Sequence, residues 1–162
     1  MKYIMKKLVV ILTILGANFL QAQQEVSIDL ADALVIKTLE VTYEHYIGEQ
    51  SSIGASALFN FEGENSDFRY NEDNMITPFF RHYFTTARNW NHFGEIFMGI
   101  NSGKNDSGIS YTDGALGISV GTKYVSNGGL VVSVHGGLGR NFFTDLSPSV
   151  VPRIGLNVGY RF

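Results

Sequence analysis

The sequence ends in VVPRIGLNVGYRF, residues 150–162, and this stretch alternates between two kinds of side chain. Even positions carry apolar or aromatic groups, and odd positions from Arg153 to Arg161 are charged, amide or glycine. Successive side chains of a β-strand point to opposite faces, so the pattern predicts a strand with one apolar and one polar face. Its length exceeds the usual 5–6 residues and fits the roughly 9–11 that a tilted membrane-crossing strand needs.

The same alternation predicts seven earlier strands, separated by clusters of Gly, Asn, Asp and Ser. They cover residues 25–31, 35–46, 51–62, 75–85, 92–101, 113–125 and 130–140. Most of their connections alternate in length. Short turns at 48–50, 86–91 and 126–129 alternate with longer polar loops at 62–74, 102–112 and 141–149, while the connection near 31–34 is brief. Such alternation is typical of outer-membrane barrels, so we expect an all-β, eight-stranded antiparallel up-and-down transmembrane barrel.

Composition excludes several classes of protein. The 162 residues contain 18 Gly and no Cys, with 13% aromatic and 17% charged residues. Without Cys there is no disulfide scaffold, Cys-ligated metal or thiol nucleophile. A net charge of −3 disfavours nucleic acid as a partner, because such proteins need a basic surface.

Residues 1–22 have the features of a cleavable signal peptide. Lys2, Lys6 and Lys7 form a basic start, an apolar run from 8 to 15 follows, and Ala22 is the expected last residue before cleavage. The mature barrel domain would then be residues 23–162. No later apolar stretch reaches the length of a membrane helix, so any membrane insertion must use strands.

The apolar face carries aromatic residues at one height. This band distinguishes a membrane barrel from a soluble barrel. If the strands that precede the short turns run downward, their lower ends carry Tyr43, Phe84, Tyr124, Tyr160 and Phe162. An aromatic girdle at a membrane interface needs such a band. The alternative is a soluble periplasmic, lipocalin-like binding barrel, whose cavity would be lined by Leu116, Ile118, Val120, Leu156 and Val158.

The opposite face of the strands carries glycine together with acidic and basic side chains. The acids expected inside are Asp29, Glu40, Glu44 and Glu95; the bases are Lys37, Arg81, Lys123, Arg153 and Arg161. An eight-stranded lumen is just wide enough to be filled by side chains, so we expect these charges to pair and close it. A path for protons or small ions through the network is the alternative.

The leader, the eight strands and the terminal NVGYRF at 157–162 resemble the small eight-stranded outer-membrane β-barrel family, the OmpA/OmpX-like proteins. The resemblance implies an integral protein of the bacterial outer membrane, surrounded by its lipids and lipopolysaccharide, with no cofactor. It also implies that the barrel-assembly machinery reads the terminal strand, where Val158, Tyr160 and Phe162 match the family pattern. Members include structural, adhesive, immune-evading and a few enzymatic proteins, so a structural or surface-interaction role through the external loops is expected.

Three residues depart from an ideal membrane strand. Pro78 and Pro152 each remove a ladder hydrogen bond, and we expect both near the outer ends of their strands. His82 falls on the lipid-facing side, which requires either a place at the interface or a local shift of register.

Ser133 and His135 are the candidate residues for catalysis, because small outer-membrane barrels include enzymes that modify lipid A. The two lie on one face of the seventh strand, and Glu40 or Glu95 is a candidate to orient the imidazole. Lipid A deacylases present the order His-x-Ser towards lipid, whereas here the order is reversed and the side chains point inward. We therefore predict a non-catalytic protein, with a lipid A deacylase-like enzyme as the alternative.

Neither metal ligands nor a phosphate site are indicated. The four histidines, His45, His82, His92 and His135, lie on different strands or turns and show no ligand spacing. The loop 62–74 is acidic but lacks the regular oxygen ligands of a calcium loop, so we expect it to be solvated.

Overall fold

The computed structural model describes residues 23–31, 33, 37–61, 72–85, 89–105 and 107–162. The predicted signal peptide, residues 1–22, lies outside these ranges. Eight strands are present: β1 Gln24–Asp29, β2 Thr38–Tyr46, β3 Ser51–Asn60, β4 Glu72–Tyr83, β5 Trp90–Lys104, β6 Ser110–Val125, β7 Leu130–Asn141 and β8 Val150–Arg161. In the described part of the chain, no helix combines the length and the hydropathy of a membrane span.

Each strand pairs antiparallel with the next, and β1 pairs with β8 to close the barrel. The predicted eight-stranded antiparallel barrel is therefore confirmed. Both ends of the described chain, Gln23 and Phe162, lie at the end of the barrel where β2, β4 and β6 finish, next to the turns 47–50 and 126–129; we call it the turn end. The opposite end is the loop end.

The β5–β6 ladder is longer than predicted, so the loop between these two strands is shorter than predicted. It runs from Trp90 opposite Tyr124 to Lys104 opposite Ser110, so the expected loop 102–112 shrinks to 105–109. The Asn105 side chain accepts the backbone N–H groups of Ser107 and Ile109 at 3.0 and 2.9 Å. Backbone pairing continues through polar residues, whereas the apolar period that located the strand stops near residue 101.

The predicted loop 62–74 is also shorter, because β4 begins at Glu72. Glu72 and Asp73 belong to the strand and not to the loop, and residues 62–71 lie outside the described ranges. The third predicted loop, 141–149, spans residues 142–149.

The outer wall is apolar in a belt around the barrel. Ile118, Val120 and Ile154 expose 67–69% of their surface on the outside. Leu116 and Leu156 also face outward, so the residues expected to line a lipocalin-like cavity are on the wrong side for one, and that alternative is wrong. On β6 the belt spans Leu116 to Val120, with Thr112 and Thr122 beyond it. A continuous apolar exterior on a closed barrel is the surface that hydrocarbon solvates.

Pro78 lies in the middle of β4, opposite Ala55 of β3, and not near the outer end as predicted. The β4–β5 register shifts once, between Glu72 and Asn74, and is then constant along the rest of the ladder, yet no pairs occur at Thr77 and Pro78. Proline has no backbone N–H to donate, which accounts for the gap. Pro152, opposite Leu138, is near the loop end as expected.

Candidate functional site

Arg81 is buried in the lumen and joins two carboxylates from different strands. Its Nη1 contacts Glu44 Oε2 and its Nε contacts Glu95 Oε2, both at 2.6 Å, and all three side chains are buried. The guanidinium lies 4.3 and 4.6 Å from the ring centres of Phe79 and Phe93. The planar group thus stacks on aromatic rings while its edge pairs with carboxylates, the arrangement that makes arginine suitable for buried ion pairs.

Lys123 extends this cluster towards the turn end. Its Nζ contacts Glu25 Oε2 at 2.6 Å and Glu44 Oε2 at 2.7 Å. Arg161 on β8 pairs with the other oxygen of Glu25, with Nε at 2.7 Å. Tyr46 donates to Glu25 at 3.1 Å, so the carboxylate has partners on both oxygens.

Arg153 extends it towards the loop end. Its Nε contacts Glu95 Oε1 at 2.7 Å and its Nη1 contacts Glu40 Oε1 at 3.2 Å. Four cations and four carboxylates are thereby linked across the lumen: Arg81, Lys123, Arg153, Arg161, Glu25, Glu40, Glu44 and Glu95. We call this set the luminal ion-pair layer. Buried charges require such pairing, because an isolated one would cost several kcal/mol or neutralise.

Two residues differ from the expected set. Glu25 was missed, although its four-residue spacing from Asp29 on the same strand places both on the inner face. Lys37 is exposed and precedes β2, with a positive φ of 51°, so it lies outside the lumen. Asp29 is fully buried and accepts the Leu156 N–H at 3.3 Å.

Glycines on the inner face make room for three phenylalanine rings. A Cβ on Gly54, Gly117 or Gly121 would come within 2.3–2.5 Å of a Phe ring carbon. The rings belong to Phe79, Phe97 and Phe93 respectively. Nearer the loop end, the buried apolar side chains of Leu58, Met75, Ala115 and Val151 form a separate cluster. Ionic and aromatic side chains therefore pack together in the lumen, and the aliphatic cluster lies between them and the loop end.

Ser133 and His135 do not form a catalytic pair in this structure. Both point into the lumen and are 3–4% exposed. Neither ring nitrogen of His135 has a hydrogen-bond partner among the described residues, Ser133 included. A lipid-modifying enzyme would need this pair within hydrogen-bond reach in a crevice open to lipid, and the geometry supplies neither condition.

The other three histidines, His45, His82 and His92, lie on the outer wall near the turn end. His82 Nδ1 is 3.2 Å from Ser51 Oγ, and its ring meets Phe84 edge-on. His82 therefore lies on the outer wall beside the turn end, without a shift of register. No group of three or more His, Cys, Asp or Glu suited to a metal occurs within the described ranges.

The residues expected to form the aromatic girdle lie at the turn end. Tyr43, Phe84, Tyr160 and Phe162 are 38–64% exposed on the outside, and the Tyr124 ring contacts Trp90 at a tilt of 52°, with ring centres 5.2 Å apart. Tyr43 donates to Gln24 Oε1 at 3.1 Å. Aromatic rings with a polar edge favour the headgroup zone, so this band is placed where a membrane interface would be.

Asp113 organises the loop 142–149 at the loop end, beyond the apolar belt. Its carboxylate accepts backbone N–H groups from Gly114 at 2.6 Å, Phe143 at 2.8 Å and Thr144 at 3.2 Å. It also accepts the Ser147 hydroxyl. Several donors converging on one carboxylate fix the first half of the loop, since hydrogen bonds to an ionised acceptor are stronger than neutral ones.

We expect acid to loosen this loop. Burial raises the pKa of the Asp113 carboxyl, but the hydrogen bonds from Ser147, Phe143, Gly114 and Thr144 outweigh that effect and hold the pKa below its ordinary value of 3.8. A lowered pKa in the folded state means that the stabilisation is present above pH 3.8 and is lost as the pH falls through the folded pKa. Amide hydrogen exchange of residues 142–147, corrected for the intrinsic rate, should therefore show weaker protection at pH 2.5 than at pH 7.

Asp113→Asn is expected to reproduce the acid effect at pH 7. Removing the charge should accelerate exchange in 142–147 by about tenfold, the equivalent of one charge-assisted hydrogen bond. Exchange in the β1–β2 pairs serves as the internal control. If the variant still loses protection on acidification to the same extent as the unaltered protein, another group is responsible.

Comparison with known proteins supports the fold. No family profile matches the sequence, and no curated protein matches it. Among solved structures, the crystal structure of Neisserial surface protein A (NspA) is similar with a TM-score of 0.51 at 11% identity, over 86% of this chain and 92% of that one. The outer-membrane protein Ail of Yersinia pestis, solved in a phospholipid bilayer nanodisc, gives a TM-score of 0.49 at 15% identity, over 88% of this chain and 100% of that one. The closed eight-stranded sheet and the similarity to NspA show that the chain has the fold of a small eight-stranded outer-membrane barrel.

Proposed function

We propose that this protein is a non-catalytic outer-membrane barrel with a structural or surface-interaction role, exerted through its loops. The observation that carries the proposal is the luminal ion-pair layer. With eight paired charges across the axis, the interior is occupied by side chains that satisfy one another, which favours neither a solute path nor an active site. The loops then remain as the surface available for recognition.

The proposed orientation has the turn end in the periplasm and the loop end outside the cell. Short turns and both ends of the described chain, Gln23 and Phe162, share one side of the barrel, as in bacterial outer-membrane barrels. Membrane lipids would cover the apolar belt, and lipopolysaccharide would surround its outer half. The loop end, with the described loop 142–149, would meet any external protein or surface ligand.

Membrane fractionation tests the localisation. The protein expressed with its first 22 residues should be recovered in the outer membrane, and detergent-solubilised samples should migrate differently on gels before and after boiling. Recovery in the soluble periplasmic fraction would refute the proposal.

In planar bilayers the purified barrel should produce no stable conductance, whereas a regular single-channel current would contradict a closed lumen.

The end of β8 is the proposed contact with the barrel-assembly machinery. Phe162 is 64% exposed, and its backbone N–H and C=O pair with Gln24 at 2.9 and 3.1 Å. Phe162→Ala keeps those backbone bonds, so refolding of the pure protein into detergent should be unchanged. The amount of folded protein in the outer membrane of cells should fall several-fold. Phe143→Ala, at the loop end, is the control and should assemble normally.

A further inference from the structure

The apolar belt contains a groove on the outer wall of β2–β5, with a volume of about 810 Å³. Its walls are formed by Tyr43 and Ile53 on one side and by Phe80, Ile96 and Met98 on the other. Sites for small ligands span roughly 300–1,000 Å³, so the groove is large enough for a substantial part of a lipid.

Two small side chains account for the depression. Ala55 and Pro78 are directly opposite each other on β3 and β4, and both line the groove. Their flat, short side chains sit among the larger outward groups of the neighbouring rows. Pro78 also lies where the β4–β5 pairing is interrupted. The small size of these two residues therefore accounts for the depression. Because both face outward, larger side chains can be introduced there without entering the lumen.

The groove is apolar along its length and polar at one end. It runs from the middle of the belt, at Met98 and Pro78, to His45 at the turn end. Just beyond Phe80 on the same outward row lies His82, bonded to Ser51 through Nδ1 at 3.2 Å. When the Ser51 hydroxyl donates to Nδ1, the ring proton is on Nε2, which makes that nitrogen a donor.

Charge in this region suits an anionic headgroup. In the half of β2–β5 nearer the turn end, no Asp, Glu, Lys or Arg occupies an outward position. The outward ionisable side chains there are three imidazoles and the Tyr43 phenol. The nearby acid Glu49 lies in the turn beyond the strands and lines the mouth of the lumen, together with Tyr46 and Arg161. A phosphate group beside His45 and His82 would thus meet donors without facing a carboxylate on the wall.

We propose that this groove binds one glycerophospholipid of the periplasmic leaflet. An acyl chain lies along Ala55 and Pro78, and the phosphate lies beside His45 and His82. The inference rests on the proposed function, which places the turn end in the periplasm. The polarity of the groove selects the leaflet, because lipid A would place its phosphates at the loop end, opposite the histidines.

Native mass spectrometry of the detergent-solubilised full barrel tests the proposal, with palmitoyl-oleoyl phosphatidylglycerol as the probe. The unaltered protein should retain one phosphatidylglycerol. Ala55→Phe fills the groove and should lower retention by about tenfold. The matched control is Ala57→Phe, on the same outward row of β3 but outside the groove, and it should retain lipid like the unaltered protein. His45→Ala with His82→Ala should also lower retention.

Several results would overturn the proposal. One is equal retention by Ala55→Phe and Ala57→Phe; another is retention of lipid A in preference to phosphatidylglycerol, lost on Ala55→Phe. Should Ala55→Phe lack the heat-dependent gel shift of a folded barrel, Ala55→Leu replaces it, with Ala57→Leu as control. A barrel that stays soluble without detergent would instead refute the proposed function, so the two failures are distinguishable.

Discussion

Arg81→Met is expected to destabilise the barrel by about 3 kcal/mol, because two buried carboxylates each lose a cation at 2.6 Å. Lys123 and Arg153 still contact Glu44 and Glu95, which keeps the loss at the lower end of the range for broken buried pairs. Methionine retains much of the volume of the aliphatic part of arginine. The change in stability therefore measures the loss of the charge more than a loss of packing. Urea titration of the protein in phospholipid vesicles, followed by the gel shift, measures the free energy of unfolding.

Two variants control this experiment. Arg140→Met removes an exposed arginine at the loop end and should change stability by no more than about 0.5 kcal/mol. The double variant Arg81→Met with Glu95→Gln should be more stable than Arg81→Met alone, since it removes one of the carboxylates that lost a partner. If Arg81→Met costs as little as Arg140→Met, water reaches the layer and replaces the cation.

Gly117→Ala is expected to cost about 2–3 kcal/mol through overpacking. A Cβ at this position would lie 2.3 Å from Phe97 Cζ, and 2.6 Å from both the Gly139 Cα and the Leu138 carbonyl oxygen. The ring can rotate away, but the backbone of β7 cannot move without disturbing the β6–β7 ladder. The same urea titration measures the loss.

Gly99→Ala is the matched control on the neighbouring strand. Its Cβ would also lie 2.3 Å from a side-chain atom, but that atom is the terminal methyl of Met75, and Ala115 Cβ is 3.6 Å away. A flexible methionine adapts to such a change, so the cost should stay below about 1 kcal/mol. Equal losses for the two variants would mean that the backbone contacts of Gly117 add nothing to the penalty of the side-chain contact, which would contradict the prediction.

The sequence predicts which face each strand residue occupies, because the period of two needs no knowledge of neighbours. It locates all eight strands and places Arg81 and Glu44 on the inner side. It does not predict which cation meets which carboxylate. Lys123 and Glu25 are 98 residues apart, and their contact depends on the relative heights of strands from opposite walls.

The same limit explains the errors at strand ends and on the outer wall. The β5–β6 ladder extends past Asn101 through polar residues that carry no apolar signal. The groove depends on Ala55 lying opposite Pro78. Alternation within one strand predicts which face a residue occupies, but it does not predict which residue of the next strand lies opposite. The Asp113 cluster requires a loop to fold back onto a strand 30 residues earlier. No short sequence motif predicts such a contact.

The seam between β1 and β8 has a consequence for how the chain matures. It consists of five residue pairs and is reinforced by the ion pair between Glu25 and Arg161, which are 136 positions apart. Contacts this distant form late, because the intervening chain must first be ordered. The barrel can therefore close only after β8 has been synthesised, and a chain truncated before Val150 would present two unpaired strand edges able to pair with other molecules.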